Sequence, residues 1–480
     1  MSDYTKHNGA IIHLPEEEIE SEVFVYLDDM QESPLFELDL VSIMPDVHVE
    51  PNSRTLIGFT MPFRGKMSPE IIGPDAGCGV MAVKLDGWEH TEEEYDSILE
   101  DVEQKVPLSK GQYSAPKRTR EDSYHMAEDF PYTDLTERLK ESTEIFDDVP
   151  EVIQNFLDNG GYSFEWVKNT LVPRTGIDIQ KLISGVGTLG GGNHFIEIST
   201  DSTGDHWLVV HVGSRHVGHQ IFNYHNYVAE REQYANEVRS LVNNLPEEYK
   251  QYLKVDLNEE TDDDVYKWVT GGKGESYYDK QQIKENYTGE KIEEVITSFP
   301  RDRDIDTGLT WNYLTGDNVY KYYIDMLFAQ AYAEENRQKI AKDVIKCTSA
   351  EIIHDTKIDS PHNLIDFNDG MIRKGATRAS KGVKGIIPFN MEKGAIIFKG
   401  KGNEKYNNSV SHGAGRPRNR GDSIEQFKMS ETLEKPQIKT TSSDPGEYPH
   451  AYKNPEQIKR QITDTVTIEE TLTPILNFKG

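Results

Sequence analysis

A chain of 480 residues with 36% hydrophobic and 10% aromatic residues carries enough apolar mass for a sizeable core, which excludes a disordered protein. Its net charge of −31, taken whole, argues against a nucleic-acid binder, because a negative field repels polyphosphate. Two cysteines, Cys78 and Cys347, exclude a disulfide framework. With no run of about 18 apolar residues and no leader pattern at the N-terminus, the expectation is a cytoplasmic protein without a membrane span.

In chain order, short apolar runs in SEVFVYLDDM (21–30), TLIGFTMP (55–62) and GVMAVKLDG (79–87) alternate with turn signals and read as strands. Between the last two lies EIIGPDAGCGVMAV (70–83), where Asp75 and Cys78 stand three apart among glycines. The bland interpretation of Cys78 is a buried thiol beside a turn; the chemical one is a metal thiolate with a carboxylate nearby and backbone freedom around it. TEEEYDSILEDVEQKV (91–106) and PEVIQNFLDNGGYSFEWVKNTL (150–171) have helical spacing.

From 182 to 225, NHFIEIST (193–200) and HWLVVHVGS (206–214) read as strands set among glycine-rich turns. GVGTLG (185–190) satisfies a dinucleotide fingerprint, yet it leads into a strand rather than a helix, so that assignment is rejected. Its glycines fit a backbone that approaches a ligand. Residues 226–345 are mostly helical and acidic. The stretch 240–310 reads as an acidic, solvated insertion, and VYKYYIDMLFAQAYAEENRQKIAKDVI (319–345) as a long helix with an apolar stripe.

Charge then reverses. From Arg373 to Arg420, twelve Lys or Arg stand against Glu392 and Glu404, a balance of +10, which leaves −41 for the rest of the chain. A basic island in an acidic molecule is expected to receive phosphates. The tail TVTIEETLTPILNFKG (465–480) ends on a strand-like run.

Four segments set a histidine beside glycines or a strand end: GTLGGGNHFIEI with His194; WLVVHVGSRHVGH with His211, His216 and His219; DSPHNLIDF with His362, shortly after His354; and VSHGAGRPRNRG with His412. With Asp75 and Cys78 they form a mixed hard and soft donor set suited to Mn, Zn, Fe or Co, and a thiolate that can bridge two ions. Alternation puts Trp207, Val209 and His211 on one face, which favours His211. His216 and His219 fit caps or surface groups equally well. HGAGRPRNR offers a nucleophilic or ligating imidazole, free backbone donors and bidentate phosphate forks, or alternatively a basic surface loop.

The ordered set MPDVH (44–48), DAGCG (75–79), GGGNHF-x-E (191–197), H-x-GSR (211–215), HN (362–363), RKGA (373–376), SHGAGR (411–416), AYK (451–453) and KG (479–480) resembles the RtcB-type RNA ligases over nearly the whole chain. The resemblance implies a mixed α/β fold: one catalytic domain over 1–480, with sheets carrying metal ligands, helices outside and the 240–310 insertion within it. It implies joining of an RNA 3′-phosphate or 2′,3′-cyclic phosphate end to a 5′-hydroxyl end with GTP and two Mn²⁺ ions, by a monomer without a membrane partner.

Position by position, the resemblance gives Asp75, Cys78 and His194 to one ion. Cys78, His211 and His362 go to the other, and His412 to covalent GMP. Asn193, His194, Glu197, His362, Asn363, Pro388, Asn390, Met391, Gly413, Ala414, Gly415, Arg416 and Lys479 match nucleotide-contacting positions. Departures are PFNMEKGA (388–395) where many members read PGSMG, Asn419–Arg420 in place of Ser-Arg, and the longer insertion. Two other functions use the same residues. A metal-dependent phosphoesterase would not require His412 with its Gly and Arg neighbours or Lys479; a non-catalytic RNA-binding relative would gain little from five metal ligands.

Overall fold

Two sheets meet along the line where most of the motif residues lie. The computed structural model describes residues 4–50, 53–107, 124–146, 148–366, 368–418, 420–430 and 434–479. The larger sheet runs, in spatial order, through Glu351–Pro361, Gly79–Asp86, His206–Val212, Phe195–Thr200, Val466–Lys479, Gly394–Gly400 and Lys384–Asn390, all neighbours antiparallel. Lys439–Thr440 adds a short parallel partner to Val466–Lys479. The smaller sheet runs through Thr5–His7, Ala10–Ile12, Ser42–His48, Ile57–Pro62, Met371–Lys374 and Asn363–Asp366. His362 sits where the chain leaves one sheet and enters the other.

The central strands are nearly continuous apolar runs. Val80, Met81, Ala82, Val83, Leu208, Val209 and Val210 are all buried, because both faces of this sheet are covered. One of the covers is the helix Gly316–Ile345, whose buried residues go around its whole circumference rather than along one stripe. It packs against both the Arg215–Asn243 helix and the donor-bearing strands.

SEVFVYLDDM departs from its strand assignment. It lies in the helix Ser21–Gln31, where Val23, Leu27 and Met30 are buried at helical spacing while Val25 is 63% exposed. The period of 3.6 that joins Val23, Leu27 and Met30 prevails over the strand reading of its apolar run.

In the 240–310 stretch, the helices Glu247–Lys250, Asp262–Thr270, Lys280–Asn286 and Glu290–Ser298 enclose an apolar cluster of their own. Tyr278 stacks on Phe299 there at 4.2 Å, and Ala235, Val238 and Val242 from the end of the Arg215–Asn243 helix complete the cluster. No helix among the described residues is long and apolar enough to cross a membrane.

Candidate active site

Strand pairing gathers the donor residues at one edge of the larger sheet. Gly79 lies opposite both Val212 and Pro361, and Phe195 opposite both His211 and Lys479. Cys78, His194 and His362 each sit one residue beyond such a pair, where the ladder stops and side chains can turn toward one another. Two groups form among the described residues: Cys78, His211 and His362, and Asp75, Cys78 and His194, with the donor atoms of each group within 4.8 Å of one another. Cys78 belongs to both.

Individual contacts show how the rings are aimed. Cys78 Sγ lies 3.4 Å from His211 Nε2 and 3.6 Å from His194 Nε2, and His194 Nε2 is 3.2 Å from Asp75 Oδ2. The opposite nitrogens are occupied by backbone carbonyls, which only accept. His194 Nδ1–H donates to Leu189 O at 3.1 Å and His211 Nδ1–H to Asn193 O at 3.0 Å. Each ring therefore turns a lone pair on Nε2 toward the thiol, the arrangement a metal-ligating imidazole adopts. Gly213 leaves the room this needs, since a Cβ there would collide with Asp75 Oδ1.

Burial pushes the His211 and His362 pKa values well below the usual imidazole range, and the neighbouring histidines add to the effect. Neutral rings are the ligand form. Burial, with Asp75 beside it, pushes the Cys78 thiol up, while Arg337 and Lys374 pull it back. Burial also opposes ionisation of Asp75, but His194, Cys78 and Arg215 outweigh it and hold its carboxyl below the usual range. One buried thiol, three buried imidazoles and the half-buried Asp75 carboxylate, with lone pairs converging, form a mixed hard and soft donor set that fits a pair of divalent ions such as Mn, Fe, Co or Zn.

The edge opens into a cleft of about 520 Å³. His412 follows the strand Ser409–Ser411, and its ring lies 4.7 Å from that of His362. Its Nδ1 is 2.9 Å from Oδ2 of the fully buried Asp46, which also accepts from the Gly413 N–H at 3.3 Å. With Nδ1–H donated to a carboxylate, Nε2 keeps its lone pair: the geometry of an activated nucleophile.

Across the cleft the chemistry changes to charge. Glu447, 1% exposed, accepts from Lys479 Nζ at 2.5 Å, Arg416 Nη2 at 2.8 Å and the Tyr452 hydroxyl at 2.5 Å, with Arg420 Nη1 at 3.3 Å. Burial alone would raise its carboxyl, but Lys479, Arg416 and Arg420 bring it down to about 2. The Arg416 guanidinium also stands 4.6 Å over the Tyr452 ring. At the floor of this half, burial pushes Glu197 up to about 8 despite hydrogen bonds from Ser199 and Asn477.

The family described as tRNA-splicing ligase RtcB matches residues 36–480. The chain belongs to the RtcB family of RNA ligases. It is 23% identical over 459 residues to the RNA-splicing ligase RtcB of Escherichia coli strain K12, covering 92% of this chain and 90% of that protein. It is 22% identical over 441 residues to the tRNA-splicing ligase RtcB of Methanococcus maripaludis, covering 82% and 78%.

Of the residues that the RtcB resemblance singled out for nucleotide, Asn193, Glu197, His362, Asn363, Pro388, Asn390, Met391, Gly413, Ala414, Gly415, Arg416 and Lys479 all line the cleft, while His194 lies buried behind it. Like Glu197, Arg416 and Lys479, the two asparagines Asn363 and Asn390 are engaged with the chain itself. The Asn363 amide donates to Asp75 O at 3.2 Å and accepts from Gly375 N–H at 3.0 Å, tying the Cys78 loop to the smaller sheet. Asn390 Oδ1 accepts from the N–H groups of Glu392 and Lys393 and closes a turn. Asn419 and Gly480 lie outside the described residues. His216 accepts from Asp178 N–H at 3.3 Å and His219 pairs with Asn223; neither reaches the donor groups.

The basic island of 373–420 is not one surface. Arg373 is fully buried between Asp366 and Asp369, and the buried Lys374 donates to Ile72 O. Folding spends those charges on internal partners, so a run of like charge in sequence does not make a patch in space. Lys381, Lys384, Lys393, Lys399, Lys401, Lys405 and Arg418 remain exposed, Lys384 beside Glu469.

Sequence reasoning assigned no role to Asp46, Glu447 or Tyr452. Asp46 lies inside MPDVH and Tyr452 inside AYK, so a signal existed for both. For Glu447 there was none, because its cationic partners are distant in sequence.

Proposed function

We propose that this chain joins RNA ends, linking a 3′-phosphate or 2′,3′-cyclic phosphate to a 5′-hydroxyl, with GTP as co-substrate, two Mn²⁺ ions and His412 as the residue that carries GMP. The observation that supports it most strongly is the His412–Asp46 pair opening onto the cleft beside the Cys78 donor groups. Asp75, Cys78 and His194 would hold one ion and Cys78, His211 and His362 the other, and such ions supply positive charge against phosphate oxygens.

The protein's own groups account for the rest. Asp46 keeps the His412 proton on Nδ1, so Nε2 is free to attack the α-phosphorus of GTP. An N–P bond forms, the bond to pyrophosphate breaks, and pyrophosphate leaves with the electron pair. Asp46 then faces the imidazolium-like ring that results and stabilises its charge. A 2′,3′-cyclic end first takes up one water, which breaks its P–O2′ bond and leaves a 3′-phosphate and a free 2′-hydroxyl. An RNA 3′-phosphate oxygen next takes the GMP, freeing His412, and the 5′-hydroxyl finally displaces GMP, giving its proton to solvent, to leave a 3′,5′-phosphodiester. Arg416 and Lys479 hold the guanylate, with Glu197 at the floor of the same half. The whole of 1–480 acts as one catalytic unit in this reading.

The test is incubation with α-labelled GTP and Mn²⁺. An acid-labile, alkali-stable label mapping to His412 is expected. A label on a lysine, or none on a protein that holds metal, overturns the proposal.

A further inference from the structure

The donor edge has a structural problem that its sheet cannot solve. Cys78, His194 and His362 lie just past the ends of their strands, while His211 stays in the ladder opposite Val80 and Phe195; the pairing of Gly79–Asp86 with His206–Val212 ends at Gly79 opposite Val212. Beyond that point Cys78 O still accepts from His362 N–H at 2.9 Å, but the carbonyl before Cys78 and the one after His211 also need a partner, as buried carbonyls do. Two adjacent residues of the Gly316–Ile345 helix supply it.

Arg337, 1% exposed, donates from Nη1 to Gly77 O and to Val212 O, both at 3.0 Å. One carbonyl immediately precedes Cys78 and the other immediately follows His211. From Nε and Nη2 the same guanidinium grips Asp359 in a bidentate pair at 2.7 Å, three residues before His362. Asn336, fully buried, does the equivalent for the remaining donor. Its Oδ1 accepts from Gly187 N–H at 2.6 Å and Thr188 N–H at 3.1 Å, and its Nδ2 donates to Thr188 O and Gly213 O at 3.2 Å. That loop presents Leu189 O to His194 Nδ1. Gly77, at φ +72°, permits the close approach, because a Cβ there would stand 2.6 Å from Gln330 Cα on the same helix.

We propose that Asn336 and Arg337 are positioning residues of the donor edge: together they set the spacing of the four segments that carry Cys78, His194, His211 and His362. The inference rests on the reading of that edge as a metal centre. A planar guanidinium joins three segments in one rigid geometry, which a lysine, as a point charge on a flexible stem, does not reproduce. Removal of such an outer partner costs a metal site about 10- to 100-fold in affinity.

The experiment titrates the metal-free protein with Co²⁺, reading the thiolate-to-cobalt charge-transfer band and the stoichiometry, alongside Tm of the metal-free form. Wild type is expected to bind two ions with a thiolate band. Arg337→Lys should bind about 10- to 100-fold more weakly with a shifted or weakened band. Asp359→Asn, a milder change that leaves Arg337 on Gly77 and Val212, should weaken binding less, and it keeps the proposal testable if the lysine variant does not fold. Phe328→Leu, which disturbs the same helix within its apolar cluster away from the donors, should lower Tm yet leave Co²⁺ affinity and spectrum unchanged.

Wild-type affinity and an unaltered band in both Arg337→Lys and Asp359→Asn overturn the positioning role while leaving the metal centre intact. An equal loss of affinity in Phe328→Leu also overturns it, since the effect would then be general loosening. A wild-type protein that binds Co²⁺ without a thiolate band defeats the reading of the edge, and the clamp with it.

Discussion

The two halves of the cleft solve opposite electrostatic problems. On the donor side, Cys78, His211 and His362 are buried, and burial drives the groups toward their neutral forms. Backbone carbonyls already dictate which nitrogen of His194 and His211 is free. On the other side, Arg416, Arg420 and Lys479 stay charged around one carboxylate, Glu447, brought down to about 2 by their presence. The donor side thus combines three groups that burial keeps neutral with one ionised carboxylate, Asp75. The charged side is built from cations kept in place by an internal anion. The first is rigid by hydrogen bonding, and the second is held by charges that an incoming phosphate can share.

The largest effects should separate the halves outright. Cys78→Ala removes the donor common to both groups, so joining should fall to background and metal analysis should show both ions depleted. His412→Ala should also reduce joining to background and form no GMP adduct, yet keep its metal. A pre-guanylylated RNA 3′ end should restore joining in His412→Ala and not in Cys78→Ala. Rescue of both variants, or of neither, would erase the proposed division of labour.

Asp46→Asn comes next. Loss of the carboxylate that holds Nδ1–H should slow adduct formation by about 10²–10⁴-fold, the usual worth of a positioned proton partner. Bound metal should be unchanged, which rapid-quench labelling together with metal analysis checks. A variant with wild-type labelling rate would show that Asp46 serves packing alone.

Glu447→Gln probes the charged half. The Arg416 and Lys479 side chains lose their anchor, so the KM for GTP should rise about tenfold, roughly 1.4 kcal/mol, with a smaller change in kcat. Stability supplies a second readout. Because the folded carboxyl titrates near 2 rather than at the ordinary 4.5, its contribution is present above about pH 4.5 and is lost as pH falls toward 2. The Gln variant should be less stable than wild type at pH 7 and should show a flatter decline between pH 4.5 and 2. Parallel acid-unfolding curves would sink this account of the cluster.

The smallest effect concerns the exposed remnant of the basic stretch. Lys393 stands in the turn beside Asn390, and Arg418 lies two residues past Arg416; both are exposed. Neutralising the pair should weaken RNA binding and reduce the slope of log K against log salt by about 0.7 per lost contact on single-stranded RNA. An unchanged slope would place the RNA path elsewhere.

The sequence was a good guide to chemistry and a poorer one to surfaces. Residue type beside glycines or a strand end gathers Asp75, Cys78, His194, His211 and His362 together with His216, His219 and His354, and the RtcB resemblance narrows them to the first five. His412 was picked out in the same two steps. The strands NHFIEIST and HWLVVHVGS were legible as apolar runs between glycine-rich turns, whereas the apolar run of SEVFVYLDDM fits strand or helix and only the packing of Val23, Leu27 and Met30 decided between them. The basic run misled because charge adds up along a chain but acts through space: Arg373 vanishes between Asp366 and Asp369, and Arg416 and Arg420 answer to Glu447.

By itself, then, the sequence determined which side chains can do the chemistry and where the chain turns to present them, since donor type, glycine placement and alternation act over a few residues. Only the tertiary structure decided what those side chains are tied to. The Asp46–His412 pair spans 366 positions, and Arg337 spans 260 to Gly77. Contacts at such separations depend on how sheets end and how a helix crosses them, which is settled by packing the whole chain at once and leaves no mark in any short stretch of residues.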